Sequence, residues 1–143
     1  MAIRLYGEYN HTIDKKKRMF LPAKIRDAIG EKFFMVKSLS ARCIALYPEE
    51  VWEKFEEKLD ALPEIDGISI KRKIFSSMEE TSVDSQGRIL IPAKLCEYAE
   101  LEKNVVVIGA GRHAEIWSDV NRAAEVEKEN SPELLAILSQ LGF

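Results

Sequence analysis

Two positions in the chain combine an aspartate with an arginine four residues later: Asp14 with Arg18, and Asp84 with Arg88. At this spacing the opposite charges can meet across a tight loop, and the aspartate can accept hydrogen bonds from the backbone amides that follow it. An arginine at the rim of such a loop can present its planar guanidinium to a phosphate or a guanine base. We predict that the aspartates shape their loops and that the arginines contact an anion. The alternative is an exposed structural ion pair, worth under about 1 kcal/mol.

The first of these loops is strongly basic. Three consecutive lysines precede its arginine, two more basic residues follow, and residues 15–26 contain no acid. Lysines held on one turn repel one another unless an anion neutralises them, so binding to a phosphate backbone is the favoured explanation. The lysines predicted to take part are Lys15, Lys16, Lys17 and Lys24.

The second loop is much less basic than the first. Ser85, Gln86 and Gly87 stand where the first loop has its lysines, which leaves Arg88 and Lys94 as the candidate contacts. Gly87 tolerates a positive φ angle, so we expect it to help shape the loop. If both loops bind DNA, the first should dominate the electrostatic attraction.

Composition and charge narrow the class of protein. The chain has 143 residues, of which 46% are hydrophobic and 31% charged, as in soluble globular proteins. No apolar run approaches the ~20 residues that span a bilayer, and the start lacks a secretory signal, so we expect a cytoplasmic protein without a membrane partner. The net charge of −3 argues against a nucleic-acid binder. However, eight acids crowd residues 49–66, away from the basic segment, and a partner responds to the local field.

The two loops belong to an internal repeat. Residues 12–25 align without gaps with residues 82–95, with identical Asp, Arg, Pro, Ala and Lys, and residues 43–47 are echoed by 113–117. Each copy is too short to bury a good core alone. We expect a first repeat with a trailing helix at 1–65, a connecting helix at 66–76, and a second repeat with C-terminal helices at 77–143.

Each copy predicts the same order of strands and helices. Strands over 7–13 and 18–21 flank the first loop as a hairpin-like turn, and a short helix over 22–29 ends at Gly30. Two further strands are predicted over 33–37 and 43–47, with counterparts over 104–108 and 113–117.

Helices are predicted to close each copy. Pro48 opens one helix, Asp66 is a candidate cap of the next, and Ser118 and Ser131 are candidate caps near the end of the chain, with Pro132 at a first helical position. The last helix carries a leucine stripe, which predicts either core packing or a seam against another subunit. Its members are Leu134, Leu135, Leu138 and Leu141.

Signs of an enzyme or a metal site are weak. Cys43 and Cys96 lack any metal-binding spacing and are expected to be small buried residues. Residues 109–114 fit the dinucleotide pattern G-x-G-x-x-A, but the following segment looks like a strand, so a hairpin turn is favoured over a nucleotide site. We predict no catalytic residue, metal, cofactor or small-molecule substrate.

The doubled Asp-x-x-x-Arg and Pro-Ala-Lys pattern resembles the MraZ family of SpoVT–AbrB-like transcription factors. The likeness extends to residues 7–9, to Tyr47-Pro48 with Trp52, and to 106–109 with 115–117. It implies an α+β fold, with a mostly antiparallel β core of two interlocked repeats decorated by short helices, and a ring of several subunits.

The resemblance also implies a function. It points to a transcriptional regulator, associated with the nucleoid, that binds promoter direct repeats of the division and cell-wall gene cluster through Arg18 and Arg88. Many relatives have glycine where this chain has Lys17. The alternatives are an antitoxin-like module that neutralises a toxin and, on residues 109–114 alone, a small nucleotide-binding enzyme.

Overall fold

Each repeat contributes four short strands. The computed structural model describes residues 3–143. Tight loops at Asp14 and Asp84 separate the first two strands of each copy, and a proline follows the second strand in both. The strands are β1 (Glu8–Thr12), β2 (Arg18–Phe20), β3 (Phe33–Lys37) and β4 (Ile44–Pro48), then β5 (Glu79–Thr81), β6 (Arg88–Leu90), β7 (Asn104–Gly109) and β8 (Ala114–Ser118).

The repeats exchange their first strands. Six strands form one antiparallel sheet in the order β1-β7-β8-β4-β3-β5, so β1 pairs with the third strand of the second repeat, and β5 with the third strand of the first. The sheet is therefore symmetric about the β8–β4 contact. This confirms the predicted α+β fold with an antiparallel β core, and the exchange gives the interlocking of the two repeats.

The remaining two strands pair with each other. β2 and β6 form a separate antiparallel ribbon, in which Met19 faces Ile89 and both are buried. The predicted hairpin-like turn between β1 and β2 is present, although these two strands do not pair with each other. The amide of Asp14 donates to the carbonyl of Arg18 at 2.9 Å, but the strands then diverge because β1 finds its hydrogen-bond partners in β7.

Two smaller buried clusters lie around Trp52 and Trp117, and the main core lies between the ribbon, the large sheet and the short helices. Side chains at equivalent positions of the two repeats meet in it, among them Met19 with Ile89, and Leu21 with Ile91. All four are at most 1% exposed. Neither repeat could bury these residues alone, as the length of each copy indicates.

Six helices complete the described part of the chain. They are α1 (Ala23–Ile29), α2 (Glu49–Asp60), α3 (Glu64–Phe75), α4 (Ala93–Tyr98), α5 (Asp119–Glu129) and α6 (Pro132–Gln140). Ser118 and Ser131 cap α5 and α6 through their hydroxyls, and Pro132 is the first residue of α6, all as predicted.

Asp66 does not cap a helix. Pro63 occupies the position before α3, which places Asp66 in the first turn. Pro22 and Pro92 likewise lie just before α1 and α4 rather than inside them. A proline in extended conformation ends the strand segment and directs the chain into the helix, so no polar cap is needed to set the boundary.

The final helix buries none of its residues. Leu134, Leu135, Ile137 and Leu138 of α6 are between 40% and 53% exposed. The prediction that this stripe packs on the core is therefore wrong within the subunit, and the alternative of a seam against another subunit stays a prediction. No helix among the described residues is both long and apolar enough to cross a membrane.

Candidate nucleic-acid interface

The first loop is organised around the carboxylate of Asp14. Its Oδ1 accepts hydrogen bonds from the amides of Lys16 and Arg18, both at 2.9 Å. Its Oδ2 accepts from Nε of Arg18 at 3.1 Å. The amide of Lys17 donates to the Asp14 carbonyl at 3.0 Å, which closes the turn. One carboxylate thus fixes both the backbone of the loop and the direction of its arginine.

The second loop repeats this geometry. Asp84 Oδ1 accepts from the amides of Gln86 and Arg88 at 2.8 and 2.9 Å, and Oδ2 accepts from Nε of Arg88 at 3.1 Å. The amide of Gly87 donates to the Asp84 carbonyl at 3.0 Å. The loops share this conformation although their three central residues differ completely. The aspartate and the arginine therefore determine the loop, as the repeated spacing indicates.

The loop geometry stabilises the charged form of both aspartates. Hydrogen bonds from the arginine amides are the largest cause that holds the pKa values of Asp14 and Asp84 below their ordinary value of 3.8, and the other amide and the guanidinium act in the same direction. Both aspartates are ionised at neutral pH.

Both arginines keep donors available for a ligand. Each uses Nε for its aspartate, and the side chains of Arg18 and Arg88 remain 34% and 23% exposed. A guanidinium oriented through Nε can still direct its two terminal nitrogens at a phosphate or at the O6 and N7 atoms of guanine. The ion pair and the anion contact are therefore compatible roles of the same side chain.

The two loops differ at the residue before the arginine. Lys17 adopts a left-handed conformation with φ 65°, and Gly87 adopts φ 81°. Lysine therefore takes the same loop conformation as glycine, at the steric cost that a Cβ meets in this region. A Cβ at residue 87 would also clash with Nη1 of Arg26, a residue of α1. The second loop thus has a guanidinium from the first repeat beside its glycine.

Three lysines of the first loop are free to attract an anion. Lys15, Lys16 and Lys17 are exposed. None of the ion pairs found within residues 3–143 involves them. Like charges on one short turn raise the local positive potential, which a polyanion would relieve.

The two helix lysines are less free. Nζ of Lys94 lies 3.4 Å from Oε1 of Glu79 and donates to the Ser76 carbonyl at 3.3 Å. Nζ of Lys24 lies 5.9 Å from the centre of the Tyr6 ring. The structure therefore separates the candidates into free loop lysines and partly engaged helix lysines, a distinction that sequence spacing does not carry.

The ribbon connects the two loops. The carbonyl of Lys17 accepts from the amide of Ile91 at 2.8 Å, and the carbonyl of Gly87 accepts from the amide of Leu21 at 3.1 Å. Because the strands are antiparallel, the loops lie at opposite ends of the ribbon. The arginines therefore form a pair with approximate two-fold symmetry.

Other sequence candidates have structural roles. Residues 109–114 contain the turn between the antiparallel strands β7 and β8, as predicted, with Gly109 and Ala114 as the last strand pair before it. Cys43 and Cys96 are both free and buried, also as predicted. Burial raises the pKa of Cys43 to about 12, which disfavours a reactive thiolate. Nε2 of His113 lies 3.0 Å from Oε2 of Glu115, whose other oxygen accepts from the Trp117 indole.

Three residues of interest were missing from the predicted site. Arg26 belongs to the basic segment of the sequence, but only the structure places it at the second loop. Phe20 and Leu90 look like core residues of short apolar strands, yet they are 52% and 62% exposed beside the arginines. Period-two alternation around the buried Met19 and Ile89 is the signal that could have identified them.

The fold and the loops define a class: α+β proteins of two interlocked repeats that present paired, arginine-bearing loops. A family model described as MraZ protein, with a likeness to antitoxins in its description, matches residues 5–68 and 74–132. The chain belongs to the MraZ family. Relatives in this family are named transcriptional regulators, and the chain is accordingly a transcriptional regulator and not an enzyme.

Relatives named transcriptional regulator MraZ are similar in sequence to this chain over most of their length. The protein of Heliobacterium modesticaldum is 52% identical over 114 residues, which cover 78% of this chain and 79% of that protein. Those of Desulfitobacterium hafniense and Moorella thermoacetica are 43% and 42% identical. The two alignments cover 92% and 94% of this chain, and 96% and 94% of the respective relatives.

We predict that both loop aspartates titrate below 3.8 in a carboxyl-carbon NMR titration. Because their folded pKa values are lowered, their contribution to stability is complete above the unfolded value and is lost as the pH falls through the folded value. The loops should therefore be unchanged between about pH 5 and 8. In Arg18→Ala the pKa of Asp14 should rise in part while that of Asp84 stays. Ordinary pKa values in the unmodified protein would contradict the carboxylate-centred loop.

We predict that Lys17→Gly stabilises the fold by up to about 1 kcal/mol in urea unfolding, since relief of the left-handed strain exceeds the entropy cost of a glycine. Lys17→Ala is the matched control, because it removes the charge and keeps the Cβ. A gain of stability in the alanine variant equal to that in the glycine variant would assign the effect to charge repulsion instead.

Proposed function

We propose that this transcriptional regulator binds promoter DNA through its Asp-x-x-x-Arg loops. The observation that carries the proposal is the duplicate geometry of the loops, in which an ionised aspartate aims an arginine outward at each end of the ribbon. Arg18 makes the principal contact. Lys15, Lys16 and Lys17 bind neighbouring phosphates, and Arg88, Lys24 and Lys94 add weaker contacts.

The proposal agrees with the overall acidity of the chain. The acids of residues 49–66 lie mainly on α2 and the start of α3, where most of them are exposed. Basic loops and acidic helices are thus carried by different elements. The local field at the loops favours DNA, and the acidic helices reduce binding to unrelated DNA.

The promoter DNA is proposed to carry direct repeats, engaged by several subunits of one ring-shaped homo-oligomer. One loop with a few cations binds weakly at cellular salt, but loops fixed on a common scaffold turn later contacts into intramolecular ones. The exposed leucine and isoleucine side chains of α6 support assembly, because a helix that buries nothing on its own subunit gains by covering this surface on another. We propose that α6 packs on a different surface of the next subunit, because such a heterologous contact generates a ring when its rotation closes.

Location and regulated genes follow from the same proposal. A protein that binds promoter repeats of the division and cell-wall gene cluster acts in the cytoplasm and associates with the nucleoid. We propose the same division of the chain as the sequence predicts: a first repeat at 1–65, a connecting helix at 66–76 and a second repeat at 77–143. Each repeat contributes one loop.

A second candidate is an antitoxin-like module, which the description of the matching family model suggests. In this function the apolar surface of α6 would cover a toxin chain instead of another subunit. Co-purification of a stoichiometric second protein, lost on substitution in α6 but not in the loops, would favour it.

We predict that Arg18→Ala abolishes sequence-specific binding to the DNA upstream of the protein's own gene, while fold and assembly persist. The guanidinium lies on the surface and its loop retains the Asp14 amide bonds. Footprinting and fluorescence anisotropy measure the binding, and circular dichroism and light scattering measure the fold and the mass.

Lys16→Ala provides the contrasting variant in the same experiment. Loss of a phosphate contact should weaken binding to all sequences alike and reduce the salt slope by about 0.9 for each engaged loop. Retained promoter specificity in Arg18→Ala would contradict the role assigned to this arginine.

We predict that Leu135→Asp lowers the solution mass from a multiple of the 16.3 kDa subunit, because a charge in an apolar seam is left without a partner. Ser139→Asp is the control, since it adds the same charge to a polar position of α6. A monomeric wild-type protein, or equal masses for the three proteins, would contradict assembly through this helix.

A further inference from the structure

The outer face of the ribbon combines two arginines with two apolar side chains. In the register of β2 and β6, Arg18 lies opposite Leu90, and Phe20 lies opposite Arg88. Side chains directly opposite each other in an antiparallel pair point to the same face. Because Met19 and Ile89 face the core, these four all belong to the outer face. The two arginines occupy one diagonal of this four-residue patch, and Phe20 and Leu90 occupy the other diagonal.

Phe20 and Leu90 do not contribute to the folded core. They are 52% and 62% exposed, whereas their neighbours Met19 and Ile89 are each 1% exposed. They occupy equivalent positions in the two repeats, 70 residues apart. A pair of exposed hydrophobic residues centred between two functional arginines indicates a contact surface.

The dimensions of the ribbon fit a DNA groove. Two paired strands lie about 4.8 Å apart, and the major groove, about 12 Å wide, admits a two-stranded ribbon. Diagonal positions across such a pair are about 7–8 Å apart. This is about two base-pair steps at 3.4 Å each. The arginines can therefore address separate bases while the residues between them meet the intervening base edges.

We propose that Phe20 and Leu90 are specificity-determining residues, which contact thymine methyl groups while the outer face of the ribbon lies in the major groove. The inference rests on the proposed DNA-binding function and deepens it. In the major groove the C5-methyl of thymine is the apolar group that distinguishes base pairs, and apolar side chains recognise it. The arginines supply hydrogen bonds, and these two residues read a feature that arginine cannot read.

Charge favours DNA over a second copy of the chain as the occupant of this face. The three lysines of the first loop directly precede Arg18, and Arg26 lies beside Gly87. A contact between two such faces would bring several cations together and remove them from water without partners. DNA supplies phosphates around the same apolar centre.

The decisive experiment removes the methyl groups from the DNA. We use full-length protein and a duplex of the footprinted promoter site, and replace its thymines one at a time with uracil, which lacks the C5-methyl. Wild type should lose about tenfold in affinity at one or more positions. A loss of this size equals about 1.4 kcal/mol. Phe20→Ala and Leu90→Ala should each bind the thymine duplex about tenfold more weakly than wild type. Uracil at the position that the missing side chain contacts should not weaken their binding further.

Controls separate this effect from general weakening. Val120→Ala removes a comparable exposed side chain from α5 and should bind like wild type. The salt slope and the affinity for unrelated DNA should be unchanged in Phe20→Ala and Leu90→Ala, since no phosphate contact is lost. Circular dichroism and light scattering should show the wild-type fold and mass.

Two results would overturn this inference and leave the proposed DNA-binding function intact. One is that Phe20→Ala and Leu90→Ala keep wild-type affinity and uracil sensitivity while Arg18→Ala loses specific binding. The other is that either variant changes the solution mass, which would identify the face as a subunit contact. Absence of sequence preference in the wild-type protein would instead contradict the proposed function itself.

Discussion

The pairing of β2 with β6 is the interaction on which the loops depend. Each loop ends where one ribbon strand begins, and its last carbonyl accepts a hydrogen bond from the residue that follows the other strand. Each arginine is oriented by its own aspartate, and the pairing of the two repeats sets the position of one arginine relative to the other. The core also depends on this pairing, because equivalent side chains of both repeats pack on each other there. The pair of arginine-bearing loops is therefore complete only when both repeats are folded against each other.

The duplicated loops show how a conformation can persist while its chemistry diverges. Asp14 and Asp84 form the same three hydrogen bonds, so the residues between aspartate and arginine are free to change. The first loop carries three lysines and holds Lys17 in a left-handed conformation. The second loop has a glycine at this position and leaves room for Arg26 of α1. The cation beside the first turn is thus Lys17 of the loop itself, whereas the cation beside the second turn is Arg26 of the other repeat.

Much of this architecture could be predicted from the sequence, because the repeat made each weak local signal appear twice. The strands, the short helices, the serine caps and the glycine-rich turn at 109–114 all depend on local patterns. The exchange of β1 and β5 could not be predicted, since strand partners are chosen by long-range packing. For the candidate site, spacing predicted the arginines and their aspartates. It did not predict that Lys94 is held by Glu79 or that Phe20 is exposed.

The exposure of Phe20 and of the α6 side chains has a common physical origin. A small domain of interlocked repeats has a limited interior, which is filled by residues facing inward from the ribbon, the sheet and the helices. Further apolar residues have no place inside the subunit, and water disfavours them on the surface. Phe20 and the α6 side chains lie on different elements with different charge surroundings. The ribbon surface is cationic, whereas Glu133 is the only charged side chain of α6. Charge therefore directs the first surface towards a polyanion and leaves the second available to another apolar surface.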